Sequence, residues 1–205
     1  MNQGRRGAIA GVRWVEELAD PSSETPEYVG PQVAERLEQL RSLPPRARNL
    51  LSECEGVLID VGPGEGVSSM ALAQLAPKAQ VIGLEADLVH LKGAWPMCRK
   101  YANLRLGWGA IDGTLSNRNV KADADPAPIA SLGPAACDIL FTWVGMSRTD
   151  VYESTAAWAP SVGRACVLVL PEFWRTGVAS LPSAAREALR ELCTRAGVLE
   201  PSWAR

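Results

Sequence analysis

The sequence predicts an α/β fold in which a mostly parallel sheet is flanked by helices. Five short apolar runs predict strands, and they alternate with segments whose apolar residues recur at helical spacing. Such alternation implies crossover connections, which place consecutive strands parallel in one sheet. The chain of 205 residues is 47% hydrophobic and 21% charged, a composition typical of one globular domain. The predicted strands are residues 57–61, 81–85, 104–111, 138–144 and 165–170.

A helical N-terminal extension is expected over residues 1–50. One short helix is expected at residues 8–19. Apolar residues recur at helical spacing over residues 33–40, and Pro31 suits the first turn of that helix. A further short helix is expected at residues 47–54, directly before the first strand of the sheet.

Helices and one irregular segment account for the rest of the chain. Residues 113–135 are rich in Ala, Pro, Asp and Gly, so we expect an irregular excursion there. A short C-terminal end follows the last helix and allows one further strand, so a homodimer or a partner subunit is a candidate for completing the sheet edge. The later helices are expected at residues 67–76, from residue 88 to a point where Pro96 ends or kinks the helix, at 149–158, and from Ser183 to Gly197.

A glycine-rich turn follows the first strand of the sheet. Residues 60–66 are Asp-Val-Gly-Pro-Gly-Glu-Gly, and Glu85 ends the next strand, 19 residues after Gly66. Glycine lets the backbone approach a ligand closely, and this turn places the ligand at the carboxyl edge of the sheet. An acid at the position of Glu85 can accept hydrogen bonds from ribose hydroxyls. A dinucleotide site favours a small residue where Val67 stands, and a tight turn without a ligand is a further alternative.

The same residues resemble motif I of the class I S-adenosylmethionine-dependent methyltransferases. In that superfamily the glycine turn packs against the methionine part of the cofactor, the preceding acid orients the turn and the amino group, and the second acid binds the ribose. The resemblance covers about residues 55–172. It implies a Rossmann-like fold, a methyltransferase domain at residues 51–205, and S-adenosyl-L-methionine as cofactor. The cofactor-binding residues that it implies are Asp60, Gly62, Pro63, Gly64, Gly66, Glu85, Ala86, Ala110, Ile111, Asp112 and Thr142.

The segment after the third strand has a likeness of its own. Residues 109–114, Gly-Ala-Ile-Asp-Gly-Thr, are similar to a run in FkbM-type methyltransferases, which methylate hydroxyl groups on sugars and natural products. That likeness implies that Asp112, or the backbone of Ala110 and Ile111, flanks the adenine. The alternative is that Asp112 only forms the turn. The Asp-x-Glu-Gly pattern of FkbM-type enzymes is absent from the end of the fourth strand.

The end of the fourth strand is the expected position of the methyl group. Its residues 139–145 are similar to the Leu-Phe-Pro-Trp-Gly run of the ribosomal RNA methyltransferases that confer aminoglycoside resistance, in which the Trp stacks on a target base. The alternative is that Trp143 plugs the edge of the core. His90, the single histidine, is a candidate general base, and Glu172 after the fifth strand is a candidate acceptor contact. An ordinary polar surface position explains His90 equally, and no cluster has metal-ligand spacing.

The leading functional interpretation is methylation of a small-molecule acceptor at oxygen or nitrogen. One alternative is methylation of an RNA base in rRNA or tRNA, and another is a non-catalytic, methyltransferase-like binding module. A net charge of −2 argues against a protein built mainly to hold nucleic acid. The RNA alternative requires these basic residues to gather on the cofactor face: Arg5, Arg6, Arg13, Arg46, Arg48, Arg99, Lys100, Arg105 and Arg118.

The sequence also predicts the compartment. Its first residues lack the pattern of a signal peptide, and no window is long and apolar enough to span a membrane. Five scattered cysteines form no Cys-x-x-Cys pair, which is typical of reduced thiols. A cytoplasmic protein without a membrane partner is therefore expected.

Overall fold

A computed structural model describes residues 9–18, 27–111, 128–143 and 158–169. The helices are α1 (Val29–Arg41), α2 (Pro45–Ser52), α3 (Val67–Leu75) and α4 (Leu88–Cys98). The strands are β1 (Ile9–Ala10), β2 (Arg13–Trp14), β3 (Val57–Val61), β4 (Gln80–Glu85), β5 (Leu104–Trp108), β6 (Ala110–Ile111), β7 (Ile129–Leu132), β8 (Cys137–Trp143) and β9 (Val162–Val169).

The central sheet has six strands in the order β2-β5-β4-β3-β8-β9. All neighbours pair in parallel except β2, which is antiparallel to β5. The chain runs outward from β3 to β4 and β5, and then returns to the other side of β3 as β8 and β9. The strand order therefore reverses between β3 and β8, and a crevice at the carboxyl ends of such strands is where open α/β sheets bind ligands. The predicted α/β fold with a mostly parallel, Rossmann-like sheet is confirmed.

The two faces of this sheet have different cover. Leu58 and Asp60 of β3 point toward the face covered by α1, α3 and α4, because side chains alternate along a strand. Ile59 and Val61 point to the opposite face. There they share a cluster with Ala130 of a small second sheet, in which β7 lies between β1 and β6.

Helix α1 is the expected N-terminal helix, and it packs on the core. Its buried residues Val29, Val33, Leu37 and Leu40 form one apolar stripe, and they belong to the same hydrophobic cluster as Met70 of α3. The helical prediction for this part of the chain is confirmed, although α2 begins with Pro45 in its first turn, two residues earlier than expected.

The expected helix at residues 8–19 is wrong. Strands β1 and β2 occupy this segment, with Gly11 between them at a φ of 80°, followed by a 3-10 turn at Val15–Glu17. The long-range pairing of Arg13 with Trp108 on β5 prevails over a weak local helical preference. The guanidinium of Arg105 also stacks 3.8 Å from the Trp14 ring centroid.

Three further segments depart from the expected boundaries. The predicted third strand divides at Gly109, where the N–H donates to the Glu85 carbonyl at 2.9 Å, so that β5 and β6 join different sheets. Strand β7 lies within the excursion expected to be irregular, because it pairs with both β1 and β6. Pro96 does not end α4, which continues to Cys98, so the proline removes only a hydrogen bond of the last turn.

The helices predicted at 149–158 and at 183–197 fall, apart from Trp158, outside the described residues. Within the part of the chain that the structure describes, no helix has the length and apolar character needed to cross a lipid bilayer.

Candidate functional site

The turn between β3 and α3 contains three glycines in the left-handed region. The φ angles of Gly62, Gly64 and Gly66 are 69°, 58° and 73°, values that L side chains rarely adopt. The Gly62 N–H donates to the Leu84 carbonyl at 2.9 Å, and the Gly66 N–H donates to the Pro63 carbonyl at 3.0 Å. The turn is thus held to the end of β4 and closed on itself.

The three glycines differ in what surrounds them. Apart from the glycine itself and its two neighbours in the chain, no described residue has an atom within 4 Å of a Cβ built on Gly62 or Gly64. A Cβ on Gly66 would lie 3.1 Å from the sulfur of Cys98, so this glycine allows α4 to pack closely. The first two glycines therefore leave room at the carboxyl edge of the sheet, where a ligand can approach the backbone.

Asp60 lies completely buried beneath the turn. Its Oδ2 accepts hydrogen bonds of 2.7 Å from both Ser68 and Ser69 in the first turn of α3. Its Oδ1 is buried and has no hydrogen-bond partner among the described residues. Burial raises the pKa of Asp60 to about 6, although the Ser69 and Ser68 hydroxyls act in the opposite direction. The acid thus fixes α3 to β3 with one oxygen, and its other oxygen is left without a partner among the described residues.

Glu85, at the end of β4, joins the ends of two strands. Its Oε2 accepts a hydrogen bond of 2.7 Å from the Gly64 N–H, and its Oε1 accepts one of 2.9 Å from the Asp87 N–H. Each carboxylate oxygen has two lone pairs, so both can accept a further hydrogen bond. Glu85 can therefore bind ligand hydroxyls at this edge while it holds the turn.

Arg36 reaches the same region from α1. Its guanidinium carbon lies 3.6 Å from the ring centroid of Trp143, a cation–π stack at the end of β8. Its Nη1 is buried and has no hydrogen-bond partner in the described structure. Burial lowers the pKa of Arg36, and the negative charge of Asp60 opposes that shift.

Trp143 packs at the edge of the core. Its ring centroid lies 6.4 Å from that of Phe141, and Arg36 covers one of its faces. This placement favours the interpretation in which Trp143 plugs the core edge. A nucleobase could stack on the covered face only if Arg36 moved away.

Tyr28 ties the start of α1 to the glycine turn. Its hydroxyl donates to Oε1 of Glu65 at 2.6 Å, and this hydrogen bond raises the pKa of Tyr28. Helix α1 therefore contacts the site twice, through Tyr28 at its start and through Arg36 two turns later.

Several other predicted residues lie around the same edge. Pro63 is buried within the turn, and the Ala86 carbonyl accepts from Nε1 of Trp108 at 3.0 Å. Ala110 and Ile111 are buried in β6, which Gly109 connects to the end of β4. The turn, Glu85 and this segment are thus brought together.

Thr142 and His90 have contacts of their own. The buried Thr142 hydroxyl donates to the Val61 carbonyl at 2.9 Å, so it joins the ends of β8 and β3. His90 is exposed in the first turn of α4, and its Nδ1 lies 3.8 Å from Oδ2 of Asp87. Asp112 and Glu172 lie outside the described residues.

The predicted basic residues occupy different parts of the molecule. Arg99 and Lys100 follow the end of α4, which connects parallel strands and therefore ends at the edge opposite the glycine turn. Arg105 lies near the start of β5 and is paired with Glu16. Arg13 lies near the carboxyl end of β5, 5.6 Å from the Trp108 ring centroid, and Arg46 and Arg48 lie on α2. Arg5, Arg6 and Arg118 lie outside the described residues.

Sequence reasoning missed Arg36, Ser68, Ser69 and Tyr28. The two serines had a local signal, because a Ser-Ser pair just after the turn falls in the first turn of a helix that faces the strand of Asp60. The position of Arg36 depends on how α1 crosses the sheet, and no local pattern encodes that. Within the described ranges, no group of three or more His, Cys, Asp or Glu side chains is placed to hold a metal ion.

Three similar solved structures are those of methyltransferases. The aminoglycoside resistance methyltransferase NpmB1 is 17% identical, with 94% of this chain and 90% of that chain covered and a TM-score of 0.46. Precorrin-6y C5,15-methyltransferase from Geobacter metallireducens GS-15 is 17% identical, with coverages of 84% and 77% and a TM-score of 0.44. The antibiotic-resistance methyltransferase Kmr is 21% identical, with coverages of 72% and 80% and a TM-score of 0.39.

Other similar structures are longer chains, of which this chain spans 47% in one case and 33% in another. No family model matches the sequence, and no curated protein sequence does.

Proposed function

We propose that this chain binds S-adenosyl-L-methionine at the glycine turn and transfers its methyl group to a small-molecule acceptor, at oxygen or nitrogen. The arrangement of groups around the glycine turn supports this proposal. The open backbone at Gly62 and Gly64 lies between the carboxylate of Glu85 and the unpartnered Oδ1 of Asp60. A ligand with a ribose at one end and a cationic amino-acid group at the other matches this order of groups.

Each part of the cofactor has a partner in the proposal. The ribose hydroxyls donate to Glu85, whose oxygens keep acceptor capacity. The methionine part passes over Gly62 and Gly64, where a side chain would fill the space. Around the adenine we place Ala86, Ala110 and Ile111. Pro63, Gly66 and Thr142 shape the turn and the strand ends, and Asp112 stays a predicted adenine contact.

A dinucleotide fits less well. The third small residue of a dinucleotide turn allows a helix to approach its strand, and here that position is Val67, which is buried. The close approach occurs at Gly83 of β4 instead, where a Cβ would lie only 2.6 Å from the Ser69 hydroxyl oxygen. The packing thus supports a cofactor that needs no pyrophosphate cradle along the helix N-terminus.

The chemistry requires little from the protein. Methyl transfer from a sulfonium is an in-line displacement in which the acceptor attacks the methyl carbon and the thioether leaves. Alignment of the two reactants supplies much of the rate, and a base is needed only if the acceptor must lose a proton. Trp143, at the end of β8, would border the methyl group, and His90 and Glu172 remain the candidates for proton transfer.

A small-molecule acceptor is favoured over RNA by two observations. Arg99, Lys100 and Arg105 do not lie at the carboxyl edge of the sheet, although RNA binding there requires clustered cations. One face of Trp143 is already covered by Arg36. RNA methylation and cofactor binding without turnover are the two alternatives to this proposal.

Calorimetry with S-adenosylmethionine tests the cofactor site. Gly64→Arg and Glu85→Ala should each weaken binding by about tenfold or more, because the first fills the turn and the second removes charged hydrogen bonds. The matched controls are Gly93→Ala, at a glycine with open surroundings on α4, and Glu55→Ala, at an exposed carboxylate paired with Lys78. Unchanged affinity in both site variants, with folding intact, would refute the assigned site.

Turnover is tested by transfer of a labelled methyl group to a fraction of small metabolites and, separately, to total RNA. Label in the metabolite fraction supports the proposal, whereas label only in RNA replaces it with the RNA alternative. Tight cofactor binding with no transfer to either fraction would make the chain a binding module.

A further inference from the structure

Two buried polar atoms of opposite charge lack a hydrogen-bond partner among the described residues. They are Oδ1 of Asp60 on β3 and Nη1 of Arg36 on α1, and neither makes a hydrogen bond within the described structure. Proteins rarely leave such groups unpaired, because a buried charged atom without a partner is costly. The two charges influence each other, yet no hydrogen bond joins them. A ligand with one anionic and one cationic group would satisfy both atoms.

The guanidinium of Arg36 is held in place before any ligand arrives. Its face lies against the ring of Trp143, at 3.6 Å from the centroid, which leaves its N–H donors in the plane of the group available at its edge. The helix that carries it is fixed by the buried Val33 and Leu37 on either side of Arg36, and by the bond from Tyr28 to the turn. A preorganised guanidinium binds a carboxylate with little further loss of conformational freedom.

We propose that Arg36 binds the α-carboxylate of S-adenosylmethionine, beside the α-ammonium group that the resemblance to methyltransferases already assigns to Asp60, so that the pair recognises an α-amino-acid head. This inference rests on the proposed cofactor and adds α1 to the cofactor site. Both unpartnered atoms gain a charge-assisted hydrogen bond, the strong class of hydrogen bond in proteins. Because Arg36 covers Trp143, the bound amino acid also lies next to the end of β8.

Removing the carboxylate from the cofactor should lower its affinity for the protein, because Arg36 would lose its partner. Decarboxylated S-adenosylmethionine keeps the adenosine, the sulfonium and the amine, and lacks only the group that Arg36 would bind. The protein should bind this analogue about tenfold or more weakly than S-adenosylmethionine. 5′-Methylthioadenosine lacks the whole amino-acid head, and its affinity should not depend on Arg36.

Calorimetry on the full chain with these three ligands tests the inference. Arg36→Gln should weaken S-adenosylmethionine binding by about tenfold or more and leave the affinities for the two analogues unchanged. Arg41→Gln is the matched control, because Arg41 lies exposed at the end of the same helix and pairs with Glu38. If Arg36→Gln fails to fold, Arg36→Lys, which keeps the charge and loses the planar fork, should show a smaller loss of the same kind.

The outcomes separate the two proposals. If the protein binds both cofactor forms equally, or if Arg36→Gln weakens all three ligands to the same extent, Arg36 does not recognise the carboxylate, and the cofactor site still stands. If the unmodified protein binds none of the three ligands, the proposed function fails and the inference fails with it.

Discussion

Lowering the pH from about 7 to about 4.5 should stabilise the ligand-free protein through Asp60. Burial raises the pKa of this carboxyl group from 3.8 to about 6, so the folded state binds its proton more tightly than the unfolded chain does. The stabilisation is therefore complete below the unfolded pKa and is lost as the pH rises through about 6. With these two values, linkage gives about 2 kcal/mol between the two pH limits.

The measurement is the free energy of unfolding from urea titrations at a series of pH values, compared with Asp60→Asn. The amide keeps an acceptor oxygen for the Ser68 and Ser69 hydroxyls and does not titrate. Other groups titrate alike in both proteins, so the difference between them isolates Asp60 and should grow by about 2 kcal/mol as the pH falls. A difference that stays flat, or that shrinks toward low pH, would show that the hydroxyls outweigh the cost of burial.

The site and the core give two further predictions. The affinity for S-adenosylmethionine should fall roughly tenfold from about pH 7 to about pH 5, because the α-ammonium group of the cofactor binds ionised Asp60 better than protonated Asp60. Calorimetry on Asp60→Asn should show no such dependence on pH. Asn103→Ala should lower the free energy of unfolding by about 1–3 kcal/mol. The side-chain amide of Asn103 donates at 3.1–3.2 Å to three backbone carbonyls, one in the last turn of α3 and two just after the helix. Gln74→Ala, which removes one exposed bond to Tyr101, is its control in the same urea titrations, and an equal loss in both variants would contradict the reasoning.

The parts of the fold that were predicted correctly depend on short-range patterns. The runs at β3, β4 and β8 are nearly continuous apolar segments of strand length, and a parallel sheet buried on both faces requires that pattern. Strands β1 and β2 are only two residues long, so their pairing, and not their composition, determines their conformation. A single sequence contains no signal for such pairing, which explains the wrong helix at residues 8–19.

The same distinction applies to the candidate site. Asp60, Gly62 and Gly64 are neighbours in the chain, and the end of β4 must lie beside them once the two strands pair, so the positions of the turn and of Glu85 followed from the sequence. Arg36 comes from a helix that the sequence predicted without indicating where it would cross the sheet.

The proposed role of Arg36 in binding the cofactor rests on an observation that only the three-dimensional structure contains. Two buried atoms of opposite charge, Oδ1 of Asp60 and Nη1 of Arg36, have no hydrogen-bond partner in the described part of the chain. If they served the fold alone, a direct ion pair would satisfy both atoms, since Asp60 and Arg36 already influence each other electrostatically. That the pair stays separated is the physical argument for a ligand between them, and decarboxylated S-adenosylmethionine tests that argument without altering the protein.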